Sequence, residues 1–227
     1  MEDFPERRGL RARALIASGT SLGMLGLHSE ARRSVAEGRT AALELGQNLE
    51  WANTSMVAGA VELWAGHPAA AEELLRGGLE ALEAMGETAY FSTGAAFLAE
   101  AVYRQGRFDE ALELTAISES AAAPDDVDSQ SALRGARAKV LATRGDFEQA
   151  TTLAEEALEL GERHENPVQT GDLLMSAAEV FRLSGARYKS EEALRRALSC
   201  FERKGHLVLA TEARSLLSDF EDSSSQS

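Results

Sequence analysis

The 227-residue chain has few of the residues that mark disulfide-rich or membrane-spanning proteins. Its single cysteine, Cys200, excludes an internal disulfide and fits a reducing compartment. With only 4 prolines, little in the chain interrupts helices. It has no apolar run near the roughly 18 residues that span a membrane, and no signal-peptide pattern at its start. We therefore expect a cytoplasmic protein with no membrane partner.

Basic residues are also scarce. The chain has 23 Lys and Arg against 37 Asp and Glu, so its formal net charge is −14 and its pI about 4.8. The electrostatic field of this negative charge repels a phosphate backbone, and we therefore expect no nucleic-acid partner. The one local basic cluster is offset by nearby acids at the N-terminus and does not form a membrane patch.

Motifs for catalysis, cofactors and metals are missing as well. The chain has no Gly-x-x-x-x-Gly-Lys phosphate loop, and His164-Glu165 lacks the second histidine at helical spacing that a zinc protease needs. The histidines fall near predicted turns in different units, as capping or surface residues: His28, His67, His164 and His206. We therefore expect no catalytic residue, no cofactor site and no metal site, and interpret the chain as a protein other than an enzyme.

What the chain does have is a repeat marked by five glycines. Their spacings are 40, 40, 39 and 40 residues: Gly26, Gly66, Gly106, Gly145 and Gly185. Small residues recur five positions after each glycine (Ala31, Ala71, Ala111, Ala150, Ser190) and twelve after it (Gly38, Gly78, Ser118, Ala157, Ala197). Those two positions are about two helical turns apart and share a face, which lets two helix backbones approach closely. Regular spacing of this kind is typical of a solenoid.

Each unit is predicted to be a helix, a glycine-centred turn and a second helix. The helices that join units are also predicted to end on glycine, at Gly46, Gly86, Gly161 and Gly205. Asp146 and Asn166 have the residue type and position of N-caps. An aromatic residue just after the turn, Phe108 or Phe147, is predicted to fill the junction between the two helices.

The pattern Gly-x-aromatic-x-x-Ala, followed seven residues later by a small residue, resembles the tetratricopeptide repeat (TPR). It is best kept at 106–111 and 145–150. We expect an all-α fold: a right-handed α-solenoid of about five TPR-like repeats in a single domain, 1–220. Residues 206–220 would form a C-terminal capping helix, and 221–227 a disordered tail.

A narrower likeness covers the chain from Met85 onward. The segments 85–93, 123–127, 137–141 and 201–205 resemble the C-terminal repeat region of actinobacterial adenylate/guanylate cyclase-like signalling ATPases. In that family a cyclase domain and an ATPase domain precede the repeats, and this chain has neither. The resemblance implies a detached regulatory region or a stand-alone relative, and it transfers no catalytic residue.

The TPR resemblance also predicts a binding surface, because in such arrays the first helix of each unit lines an inner groove. By register, the positions ten, six, three and two before each turn glycine should face it. The candidate partner-binding residues are Met56, Leu63, Trp64, Glu100, Tyr103, Arg104, Lys139, Glu179 and Arg182. Exposed Trp, Met and Tyr beside charges are typical of peptide-binding surfaces. The alternative, that Trp64 and Tyr103 fill gaps between helices, stays open from sequence.

Three functional hypotheses follow from this pattern. The first is a non-catalytic scaffold that binds a protein or peptide segment in the groove, in bacterial signalling or regulation. The second is a sensor of a small effector that controls an associated cyclase, ATPase or transcription factor. The third is self-association through the edge of the stack, as a homo-oligomer.

Overall fold

The structure is a computed structural model that describes residues 5–163 and 166–224, and the regular structure within these ranges is helical throughout. Helices α1 and α2, α4 and α5, α6 and α7, α8 and α9, and α10 and α11 form five antiparallel pairs. The described helices are α1 (Pro5–Met24), α2 (His28–Glu44), α3 (Asn48–Asn53), α4 (Ser55–Trp64), α5 (Pro68–Met85), α6 (Ala89–Tyr103), α7 (Phe108–Ala121), α8 (Val127–Thr143), α9 (Phe147–Gly161), α10 (Pro167–Leu183), α11 (Arg187–Lys204) and α12 (Leu207–Ser224).

The five repeat glycines occupy the predicted turns, each in the left-handed conformation that favours glycine. Their φ angles lie between +75° and +85°. Gly46, Gly86 and Gly205 behave in the same way between units. Gly161 does not: it is the last residue of α9 and has no positive φ. Glycine is needed at this position for another reason, because a Cβ there would lie 2.6 Å from Leu173 Cδ1.

Side-chain capping agrees with the sequence at both predicted sites. Asp146 accepts a hydrogen bond from the Gln149 backbone N–H (3.4 Å), and Asn166 accepts one from Val168 (3.0 Å). Each cap pairs a backbone donor that the first helical turn leaves free.

The aromatic residues after the turns do not act alike. The Phe108 ring packs against Tyr103, with centroids 5.4 Å apart. The prediction for Phe147 is wrong, because 42 % of that side chain is exposed at the start of α9. The buried core residues of α8 and α9 are instead small, and include the fully buried Ala138 and Ala150.

The small-residue face lies at the contact between paired helices, as predicted. The alanines five positions after the glycines are fully buried: Ala31, Ala71, Ala111 and Ala150. The contact is tight enough that a Cβ on Gly78 would overlap the side chain of Ser55 and lie 2.9 Å from the Ala52 carbonyl oxygen. Close backbone approach therefore holds together the two helices of a repeat.

The second unit departs from the pattern, since its first helix is divided into α3 and α4 at Thr54. The Thr54 hydroxyl donates to the carbonyl oxygens of Glu50 (2.8 Å) and Trp51 (3.1 Å). Such back-bonding competes with the helical ladder and bends helices. The repeat spacing alone gives no sign of this break.

The two ends of the array meet. Helix α12 packs on α11 and also contacts α1. The Trp64 and His206 rings meet edge to face with centroids 4.6 Å apart, and Val208 Cγ2 lies 3.5 Å from the Cβ position of Gly26. The capping helix thus closes the solenoid on itself. It continues to Ser224, past the expected boundary at 220, while 225–227 lie outside the described residues.

Candidate functional site

The closed solenoid surrounds a cavity of about 1210 Å³. Its wall comes chiefly from the first helix of each pair and from α12. The nine residues chosen from the sequence all line it: Met56, Leu63, Trp64, Glu100, Tyr103, Arg104, Lys139, Glu179 and Arg182. The structure therefore brings together side chains that stand up to 126 positions apart (56 to 182) in the sequence. That these residues bind a partner remains a prediction.

One part of the cavity wall is apolar. Met24, Met56, Val57, Leu63 and Phe97 come from α1, α4 and α6. The two methionines are flexible and Phe97 is aromatic, a combination suited to packing against an apolar group of a ligand.

Trp64 has both of the roles that the sequence left open. It is half-buried and lines the cavity, and its ring also packs on the backbone of Gly23 and against His206. His206 is fully buried, and its Nδ1 accepts from the Leu209 N–H (3.3 Å). Burial lowers the pKa of His206 to about 4, so the ring is neutral at physiological pH.

A charged network crosses the cavity wall next to the apolar part. Lys139 is only 4 % exposed and is ion-paired with Glu100, which also binds Arg104 (2.7 Å). Glu179 Oε2 lies 3.9 Å from Lys139 Nζ, and the Tyr103 hydroxyl donates to Glu179 Oε1 (2.7 Å). The Lys139 ammonium also sits 4.5 Å from the centre of the Tyr103 ring. One buried cation thus contacts three other side chains of the wall, and Arg104 joins the network through Glu100.

The pKa shifts in this network follow from these contacts. Burial opposes ionisation of Glu100, yet the charges of Lys139 and Arg104 prevail and lower its pKa to about 2. Burial, with help from the Glu179 charge, raises the pKa of Tyr103, so the phenol stays protonated and donates. The Glu100 charge raises the pKa of Arg104.

Two carboxylates of the wall were missed by the sequence analysis. Asp172 on α10 stands thirteen positions before Gly185, one turn beyond the register used, so a longer register would have found it. Glu212 lies on α12, which no turn glycine follows, and the repeat gives no signal for it. Asp172 is exposed to the cavity. Desolvation by the surrounding wall, together with the charges of Glu100 and Glu212, raises its pKa to about 7 against the opposing charges of Arg104 and Lys139.

The register also selected positions that face neighbouring helices. Ile16 and Ala142 are buried in the packing and are not part of the cavity wall. Thr143 lies at the edge, 3.3 Å from the Tyr103 hydroxyl. Extrapolating one helix register across five repeats therefore places most inner residues but misses local rotations.

Elsewhere, the histidines differ from one another. His67 is exposed and its Nδ1 lies 2.6 Å from Arg32, His206 is buried rather than on the surface, and His164 lies outside the described residues. Within 5–163 and 166–224 there is no group of three or more His, Cys, Asp or Glu placed to hold a metal ion. No helix in these ranges is both long and apolar enough to cross a membrane.

No protein-family model and no curated protein matches the sequence. Solved structures do match over most of the chain. NprR in complex with its cognate peptide NprX has a TM-score of 0.67 at 12 % identity, covering 99 % of this chain and 68 % of that one. A Rap protein complexed with competence and sporulation factor has a TM-score of 0.60 at 12 % identity, covering 100 % and 67 %.

A putative kinesin light chain from Podosopora anserina, described as nearly identical TPR-like repeats, has a TM-score of 0.55 at 14 % identity and covers 89 % of this chain and 99 % of that one. These likenesses show a TPR-like fold. The narrower resemblance to the cyclase-like ATPases stays a prediction.

Proposed function

We propose that this protein is a non-catalytic interaction scaffold that binds a peptide segment of a partner in its central cavity, in bacterial signalling or regulation. The observation that carries the proposal is the cavity itself. Its volume of about 1210 Å³ exceeds the roughly 300–1,000 Å³ typical of small-molecule pockets. It therefore has room for several residues of a peptide.

The wall is already ordered for such a ligand. Lys139, Glu100 and Tyr103 are held by one another, so binding does not have to immobilise them. Met56 and Trp64 supply adaptable and aromatic surface beside these polar groups. The likeness to NprR, solved in complex with its cognate peptide, supports a peptide as the ligand.

A second candidate, a small-effector sensor, is favoured by the closure of the ring. The cavity is lined both by α1 and α4 and by α12, and Trp64 of α4 contacts His206, the residue just before α12. An effector that contacts both ends of the array would stabilise the closed form, and the resulting change in conformation would carry the signal to an associated protein.

Selection from a displayed library of random dodecapeptides tests the first proposal. We expect wild type to enrich peptides and Met56→Glu, which puts a charge in the apolar wall, to lose them. Met85→Glu is the matched control, since Met85 is 43 % exposed and outside the cavity wall. Circular dichroism would show that each variant is folded.

Two results would contradict peptide binding in the cavity. One is a wild type that enriches no peptide above bare resin. The other is a folded Met56→Glu that retains the peptides. Thermal stabilisation by a metabolite, with no peptide enriched, would favour the sensor instead.

A further inference from the structure

Helix α1 is the first helix of the array, and one of its faces is exposed along its length. Four residues at helical spacing form this face, here called the α1 stripe: Leu10, Ala14, Ala17 and Ser21. All four are exposed, and Leu10 shows 65 % of its surface to solvent. Another side of α1 packs tightly on α2, since a Cβ on Gly19 would lie 2.5 Å from Val35 Cγ2.

The other repeats show what this face is for. The stripe residues Ala14 and Ser21 stand twelve and five positions before the turn glycine Gly26. The same two positions are buried in all four later units: Thr54 and Val61, Gly94 and Ala101, Leu133 and Val140, and Leu173 and Val180. A position that is buried in four units and exposed in the first belongs to the interface between units.

Contacts in the later units identify the preceding unit as the covering element. The Cβ position of Gly94 in α6 lies 3.0 Å from Leu79 Cδ2 of α5. In the same way, Leu173 Cδ1 of α10 lies 2.6 Å from the Cβ position of Gly161 in α9. The α1 stripe therefore continues an interface that the fold uses between its units, at a place where no described helix precedes it.

The two ends of the array differ in polarity. Helix α12, at the other end, turns the polar residues Thr211, Ser215 and Ser218 toward solvent. Polar outer faces of this kind keep the ends of repeat arrays soluble. The α1 stripe has no charged member, and its one hydroxyl is already paired, because Ser21 Oγ donates to the Ala17 carbonyl oxygen (3.0 Å). The stripe can thus be buried without leaving a free polar group.

The α1 stripe is complementary to itself. Its one large residue, Leu10, and the small Ser21 stand at opposite ends, with two alanines between them. When two copies of α1 run antiparallel, Leu10 of each copy meets Ser21 of the other, and Ala14 meets Ala17. Small residues in the middle allow the two helices to approach closely, as they do within each repeat. Twofold symmetry, the commonest in homodimers, produces this pairing.

Charge favours the antiparallel orientation. Arg11 is exposed next to the stripe. Parallel helices would place Arg11 of the two copies side by side, whereas this antiparallel pairing separates them by roughly 13 Å along the helix axis. The dipoles of the two helices then also run in opposite directions, which is favourable.

We propose that two copies of this protein associate through the α1 stripe as an antiparallel, twofold-symmetric dimer. The dimer is independent of peptide binding, because Thr20 and Met24 reach the cavity from another side of α1. One helix pair is smaller than a standard interface of roughly 1,600 Å² in total, so we expect a weak dimer with a dissociation constant of about 10 µM or more.

Sedimentation equilibrium between about 5 and about 300 µM tests the proposal. Ala17→Glu places like charges near the twofold axis and should weaken the dimer at least about tenfold. Ala116→Glu is the matched control, since Ala116 is an exposed alanine within α7, and it should dimerise as wild type does. Circular dichroism shows that each variant is folded. A wild type that stays monomeric over this range, or an Ala17→Glu variant that dimerises as tightly as wild type, would overturn the proposal.

Cysteine cross-linking tests the orientation. In a Cys200→Ser background, a mixture of the Leu10→Cys and Ser21→Cys proteins should form disulfides between the two variants on oxidation. Each variant alone should cross-link no more than a Ser120→Cys control on α7, because two copies of the same stripe residue would stand roughly 16 Å apart along the axis. Cross-links within each variant and none in the mixture would overturn the antiparallel arrangement.

Discussion

Helix α5 contains two consecutive glycines in different surroundings, and alanine at each should change stability in opposite directions. A Cβ on Gly77 would meet nothing within 4 Å. On Gly78 it would overlap Ser55 and lie 2.9 Å from the Ala52 carbonyl oxygen. The main-chain oxygen cannot move aside without shifting α3, so this clash cannot be relieved by a change of side-chain rotamer.

The magnitudes follow from two terms. Both substitutions gain helix propensity, about 0.5–1 kcal/mol for Gly→Ala. Only Gly78→Ala also overpacks a tight contact, at a cost of about 1–3 kcal/mol. We expect Gly77→Ala to stabilise the protein by about 0.5–1 kcal/mol. Gly78→Ala should be about 1–3 kcal/mol less stable than Gly77→Ala, since the propensity gain cancels between them.

Urea denaturation followed by far-UV circular dichroism measures both variants against wild type. Adding Ser55→Gly to Gly78→Ala should recover part of the loss, because it removes the side chain that the new methyl group meets. Equal stabilisation by both alanines would refute the close approach of α5 to α3 and α4, and with it the packing assigned to the small-residue face.

Two further predictions concern the cavity. Lys139→Met should destabilise the fold by roughly 2–3 kcal/mol in urea titrations. This is less than the roughly 3–5 kcal/mol of a fully broken buried pair, because Glu100 still has Arg104 as a partner. Adding Glu100→Gln should reduce the loss of stability, and a larger loss in the double variant would count against the assigned network. For Asp172 the folded pKa of about 7 lies above the usual value of 3.8, so wild type loses stability as pH rises from about 4 to 7. Asp172→Asn should match wild type in melting temperature near pH 4 and exceed it near pH 8, and a pH-independent difference would refute the shifted pKa.

Much of the site was predictable because its residues recur at fixed positions within each repeat. Glu100, Tyr103 and Arg104 occupy fixed offsets before Gly106, and the helical repeat places them on the inner face without knowledge of their neighbours. Asp172 was missed only because the register stopped one turn short. Glu212 was out of reach, since its facing depends on how α12 docks.

Local chemistry accounts for what the sequence by itself determined. Glycine tolerates the left-handed turn, carboxylate and amide side chains cap helices, and small residues allow backbones to touch, so turn positions, helix pairing and the inner face can be assigned from spacing. The exposed Phe147 shows the limit, because an aromatic at a matching position does not reveal whether a partner surface is there.

Only the tertiary structure decided that the solenoid closes. The curvature of a repeat array is the sum of small rotations between neighbouring units, and no single motif encodes that sum. Here it brings Trp64 to His206 and α12 to α1, so both ends of the array contribute to the wall of one cavity. Closure also places Asp172 of α10 and Glu212 of α12 on the wall of one cavity, because the facing of α12 depends on how that helix docks.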